Sequence, residues 1–220
     1  MKVLLTGCQG QVGYYLARLF KETTWTLLAC SRNELDIGDK IAVDQVVEDF
    51  MPDAIINAAA YTAVDRAESE PELAFRVNAK GSENLAKAAQ QVNAALLHMS
   101  TDYVFSGDKD GLYEETDNVS PNGVYGASKL AGEKMVMDNC SQHIILRTAW
   151  VFGEQGQNFV KTMLRLGREK GQLDIVLDQF GGPTFAGDIA NVFIKIIKKM
   201  DMGDVIPWGV YHYSGLPHVS

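Results

Sequence analysis

The chain has 220 residues, 46% of them hydrophobic and 22% charged, with a formal net charge of −8. That balance is the one expected of a globular chain with a large buried core. The acidic surplus, without a basic stripe, argues against nucleic acid or an anionic membrane as partner, because phosphate contacts need clustered Lys and Arg.

Cys8, Cys30 and Cys140 form an odd set without CxxC spacing. They are expected to be free thiols of a reducing compartment, in neither disulfides nor a zinc site. Met1 to Gly7 enters a strand directly and lacks the apolar region of a signal peptide. No apolar run approaches transmembrane length, so the expected location is the cytoplasm.

In chain order, Val3-Leu4-Leu5 reads as a strand, and Thr6-Gly7-Cys8-Gln9-Gly10-Gln11-Val12-Gly13 places glycines at G-x-x-G-x-x-G spacing. A helix is expected from about Gln11 to Glu22. Strand, glycine turn and helix in that order suit a dinucleotide: the backbone can approach a pyrophosphate, and the helix N-terminus offers free N–H groups and a positive dipole end. A turn that only packs strand on helix is the competing reading.

Thr26 to Cys30 reads as the second strand, ending at Ser31-Arg32. An acid at that point selects NAD through the ribose 2′-OH, whereas an arginine accommodates a 2′-phosphate. Ser31 and Arg32 therefore favour NADPH, with NADH as the alternative and a bland surface arginine as the competing account. Leu35-Asp36-Ile37 would lie beside the adenine. A helix over Lys40–Phe50 leads into the strand Ala54 to Asn57. The small residues Ala58, Ala59 and Ala60, with Tyr61 and Thr62, allow close approach of a cofactor.

Asp65 to Glu70 is expected to be a charged loop, and Glu72 to Val92 a long helix carrying Asn78. The next strand, Ala95 to Met99, contains His98, taken as a core residue, and ends at Ser100-Thr101-Asp102. Ligands of open α/β sheets bind at such strand ends.

The run from Val124 reads as helix despite its glycines, so Tyr125 and Lys129 project side by side at i and i+4. An ammonium beside a phenol favours the phenolate and brings the phenol's pKa toward the working range. The bare spacing is also that of an ordinary surface contact. Then come a strand over Ile144–Arg147, Trp150 at its end, a helix near Phe159 to Lys170, a strand Asp174 to Leu177, a helix over Gly187–Met200 and a strand from Gly209 to Tyr213. Alternating strands and helices predict an α/β fold, a doubly wound parallel Rossmann sheet.

Taken together, the glycine turn, Ser100-Thr101 and Tyr125-x-x-x-Lys129 resemble the extended, nucleotide-sugar branch of the short-chain dehydrogenase/reductases. Asn57 to Asp65 with Ala67-Glu68, Ser100 to Phe105, Tyr125 to Glu133 and Asp178-Gln179-x-Gly181-x-Pro183-Thr184 resemble one family over essentially the whole chain, the dTDP-4-dehydrorhamnose reductases. That resemblance implies an NAD(P)H-dependent reduction of a 4-keto nucleotide sugar. Tyr125 would protonate the C4 oxygen, Lys129 would hold the nicotinamide ribose and lower the phenol's pKa, and Thr101 would hydrogen-bond the carbonyl. Asp102 and Trp150 would contact the sugar nucleotide. Gly7, Gly10, Gln11, Val12, Ser31, Arg32, Asp36, Ile37, the 58–62 segment, Asn78, Tyr125 and Lys129 would line the cofactor.

Some relatives bind magnesium through two glutamates; the matching positions here are Tyr15 and Gly187, so no metal is expected. A homodimer is compatible, but not a metal-bridged one. The family runs on past the final strand. Residues 1–220 are thus expected to form one NAD(P)-binding domain, with parts of a substrate lobe near 150–185 and 209–220 and the rest of that lobe lying beyond this sequence. The alternatives are a non-catalytic NADP-binding regulatory subunit of the methionine adenosyltransferase type, or another nucleotide-sugar epimerase or reductase.

Overall fold

The computed structural model describes residues 1–173, 175 and 178–220. Six strands form one sheet: β1 (Lys2–Thr6), β2 (Thr26–Cys30), β3 (Ala54–Asn57), β4 (Ala95–Thr101), β5 (His143–Thr148) and β8 (Gly209–His212). Their order is β2-β1-β3-β4-β5-β8, and every pairing is parallel. The expected doubly wound sheet is therefore present. Two short strands, β6 (Val151–Phe152) and β7 (Thr184–Phe185), pair separately.

Strands covered on both faces need apolar residues at consecutive positions rather than alternating ones. β3 has all four residues buried, and β1 has four of its five. Successive side chains serve opposite faces. Val3 and Leu5 join a cluster with Val12 and Leu16 of α1 (Gln11–Phe20) and Ile189 and Phe193 of α8 (Ala186–Asp201). Leu4 joins Val43 and Val47 of α2 (Lys40–Phe50), Leu85 of α5 (Gly81–Gln91) and Val136 of α6 (Val124–Asn139).

From β1 the chain winds outward to β2 and then returns to β3 on the other side. The sheet's order thus reverses between β1 and β3, which makes the carboxyl ends of these strands the place where a ligand can enter.

Three expectations need correction. Asp65–Glu70 is not all loop, because α3 (Val64–Ala67) forms there and an ion pair between Arg66 and Glu70, at i and i+4, ties that turn to the next. The long helix is not uniform: α4 (Pro71–Phe75) passes through a π turn at Arg76–Lys80 before α5 begins. The first helix stops at Phe20, two residues early, where Glu22 and Thr23 close turns onto Leu19 and Phe20. The strand expected at Asp174–Leu177 lies largely outside the described residues. α7 (Phe159–Glu169) precedes that stretch.

Candidate active site

The glycine turn is shaped by close approach. Gly7 has φ +71°, and a Cβ there would stand 2.6 Å from the Ala59 amide nitrogen. Only glycine combines that backbone angle with that contact. Gly13 is as tightly placed, 2.1 Å from the Gly7 carbonyl oxygen by the same construction. Gly10 immediately precedes α1, which has no side chain capping its free N–H groups and no acid in its first turn.

An uncapped N-terminus at the sheet's reversal point fits an anionic pyrophosphate. The Gln11 side chain is committed elsewhere, donating to the Val151 carbonyl at 3.4 Å and accepting from Asn158 at 2.9 Å. That leaves the Gln11 backbone, at the first position of α1, as the part free to face a dinucleotide.

At the end of β2, Ser31 is buried and its amide donates to Glu34, while Arg32 is exposed. Asp36 accepts from the Gly38 amide at 2.9 Å and from Arg76 at 3.0 Å. Burial pushes its carboxyl up, but these donors outweigh burial and hold it below the usual carboxylate range. Ile37 is buried and packs where a Cβ on Gly81 would fall.

Asn78, expected to line the cofactor, has its side-chain amide engaged within the protein. Its side chain is buried; it accepts from the Tyr61 amide at 2.8 Å and donates to the Tyr61 carbonyl and to Ser128 Oγ. It braces the 58–62 loop against α6. The Tyr61 phenol in turn donates to Glu70.

The expected catalytic set converges at the end of β4. Lys129 is buried on α6, and its Nζ donates to the Met99 carbonyl at 2.7 Å. Thr101 closes β4, and its Oγ1 donates to Asp102 Oδ1 at 3.0 Å while accepting from the Tyr103 amide. Burial drives the Tyr125 phenol up to about 12, with the Thr101 hydroxyl beside it pulling the other way and Asp102 and Tyr103 adding to the rise. Burial lowers the Lys129 ammonium to about 8, against the opposing pull of the Glu133 carboxylate.

The expected depression of the phenol by Lys129 is therefore not found. Desolvation dominates, because Lys129 is buried with its ammonium turned to a backbone carbonyl and the half-buried Tyr125 phenol sits against Thr101, Asp102 and Tyr103. A phenol that keeps its proton at neutral pH suits an acid, the role a reduction asks of it. Burial also raises the Asp102 carboxyl.

Trp150 follows β5 with φ +44°, a left-handed conformation that a bulky residue adopts only when its surroundings impose it. Its indole fills the space a Cβ on Gly181 would need, 2.6 Å away, and its carbonyl accepts from Thr184. A cavity of about 310 Å³ opens between Asp102, Phe105, Tyr113, Thr148, Gly181 and His212. A depression of about 430 Å³ beside Phe75, Arg76 and Met135 holds none of the expected residues.

At the two positions weighed for a metal, Tyr15 stands edge-on to Phe185, and the Gly187 backbone lies against the same ring. Among the described residues no cluster of three or more His, Cys, Asp or Glu could hold an ion. No helix among them is long and apolar enough to cross a membrane.

Two buried polar rows escaped sequence reasoning. Thr6, Asn57 and His98 are register neighbours across β1, β3 and β4 and hydrogen-bond in series at 2.7 and 3.0 Å. His98 is fully buried as expected, and burial holds its imidazole well below the usual histidine range. One strand turn further, Glu133 accepts from Ser100 and from Arg147 Nε and Nη2, the latter two at 2.9 and 2.7 Å. Glu133 stands four residues after Lys129, so its place on the active face was open to reading; its partners on β4 and β5 were not.

The family model described as the RmlD substrate binding domain matches residues 1–220. The dTDP-4-dehydrorhamnose reductase of Aggregatibacter actinomycetemcomitans is 49% identical over 220 residues, which take in 100% of this chain and 75% of the relative. The chain belongs to the dTDP-4-dehydrorhamnose reductase family. Crystal structures of such reductases share its fold. One from Clostridium acetobutylicum superposes with TM-score 0.94 at 38% identity, and one from Bacillus anthracis, in complex with NADP, with TM-score 0.93 at 41% identity. In both cases the alignment covers 100% of this chain and 76% of the other.

Proposed function

We propose that the protein reduces the 4-keto group of dTDP-4-dehydro-L-rhamnose to give dTDP-L-rhamnose, with NADPH as reductant, for nucleotide-sugar and cell-surface polysaccharide synthesis. The observation that carries this reading is the gathering of Thr101, Tyr125 and Lys129 at the end of β4, two strands from the uncapped glycine turn.

NADPH supplies the hydride that goes to C4 of the sugar. The residues of the chain do the rest. Gly7, Gly10 and the first turn of α1 would receive the pyrophosphate, and exposed Arg32 would meet a 2′-phosphate. Thr101 would donate to the C4 oxygen and hold the carbonyl in place. Tyr125 would deliver its proton to that oxygen as negative charge builds there, since an alkoxide is a strong enough base to take a proton from a phenol near 12. Lys129 would leave the Met99 carbonyl for the ribose hydroxyls. Asp102, Trp150 and the cavity beside them would hold the sugar nucleotide.

The test is oxidation of NADPH by the protein in the presence of dTDP-4-dehydro-L-rhamnose, with identification of the sugar product. No oxidation, or a product epimerised without net reduction, overturns the reading.

A further inference from the structure

Glu133 is fully buried, paired with Arg147, and accepts three hydrogen bonds from two strands. Ser100 and Arg147 are themselves register partners on β4 and β5, so the carboxylate clamps helix α6 onto both strands at one level. That level is the active one. Met99, which receives the Lys129 ammonium, precedes Ser100, and Thr101 follows it. On α6, Tyr125, Lys129 and Glu133 recur every four residues, one face over two turns.

A buried ion pair is seldom the best way to make a fold stable, because well-packed apolar residues of similar volume do as well or better. Its use here, against the strand that carries Thr101, needs another reason.

We propose that Glu133, held by Arg147 and Ser100, is a positioning residue for the reduction: it fixes the spacing of Lys129 and Thr101 about Tyr125 and sets a carboxylate one helical turn from the Lys129 amine. The proposal rests on the reductase reading for its consequence in turnover. Glu133 on the same helix is the anion that opposes desolvation of the Lys129 amine; His98 on β4, coupled to that amine, is buried and neutral, and the Arg147 cation of β5 is paired with Glu133 itself.

The experiment compares the wild-type protein with Glu133→Gln and with the double variant Glu133→Leu/Arg147→Met, which removes the pair without stranding either charge. NADPH affinity is measured against pH by cofactor fluorescence, without sugar, and kcat and KM with dTDP-4-dehydro-L-rhamnose.

In Glu133→Gln, which removes the anion and leaves Arg147, the alkaline loss of NADPH affinity should move down by roughly one pH unit; the double variant, which loses both charges, should shift less. Its kcat should fall roughly tenfold or more, with a smaller change in the KM for the sugar. A pH profile and kcat like those of the wild type would overturn the proposal. So would a double variant that does not fold, since the pair would then serve the fold itself. Wild-type protein that binds NADPH but reduces no sugar would sink the reductase reading alone, because the pH dependence of cofactor binding would still report on Glu133.

Discussion

Helices α6 and α7 invert what their sequences advertise. α7 sets Phe159, Val160, Met163, Leu164 and Leu166 along one side and Lys161, Arg165 and Arg168 along the other, the pattern of a helix packed on a core. It buries none of them, and Phe159 and Leu164 are about three-fifths exposed. α6 shows no such stripe, yet it buries Ser128, Lys129 and Glu133 along with its glycines. Gly126 and Gly132 let the Tyr103 and Asn78 carbonyls come within 2.2 Å of where a Cβ would sit. Amphipathicity reports where oil meets water. It is silent on a helix whose inward face is chemistry.

The sharpest way to break the contrast is to remove the acid from α6. Tyr125→Phe should leave NADPH binding near the wild-type value and lower kcat by about 10²–10⁴-fold. Steady-state turnover with the 4-keto sugar decides it, and unchanged kcat would return α6 to the status of a packing helix.

Close approach at the glycine turn comes next. Gly7→Ala should cost roughly 1–3 kcal/mol in urea unfolding, because φ +71° and the Ala59 backbone both oppose a Cβ. It should also raise the KM for NADPH.

Lys129→Met should abolish most turnover and at the same time stabilise the fold by about 1–2 kcal/mol at pH 7. The sign follows from the lowered amine, at about 8 in the folded chain against the ordinary lysine value of 10.5. The unfolded chain holds that proton more tightly, so the burial cost is present in full below about 8 and fades as the pH rises toward 10.5. Thermal unfolding of the two proteins across that range should show the difference in stability shrinking. A difference that grew would contradict the assignment.

The smallest effect belongs to α7. Leu164→Lys should change stability by no more than about 0.5 kcal/mol, since the side chain is already exposed. A loss of several kcal/mol would mean that the stripe is covered.

Much of the fold was legible, because a parallel sheet demands unbroken apolar runs such as Ala54 to Ile56, with Pro52-Asp53 marking where that strand begins. The glycine turn and the Tyr125–Lys129 pair were legible for a related reason, being local patterns. What escaped was non-local. The Thr6–Asn57–His98 and Ser100–Glu133–Arg147 rows depend on strand register, which joins residues far apart in the chain. Asn78 was found, but its bracing contacts were not, since its partners Tyr61 and Ser128 are brought to it by tertiary packing. The direction of the Tyr125 shift turned on burial, which spacing alone does not report.

The π turn at Arg76–Lys80 carries one more residue than an α-helical turn would. Deleting a single residue there would regularise the helix, and about 100° of rotation would then separate Asn78 from one of its two neighbours. The segment is thus intolerant of a length change that most helices absorb at their ends. A one-residue deletion there should therefore loosen the 58–62 loop from its brace on α6.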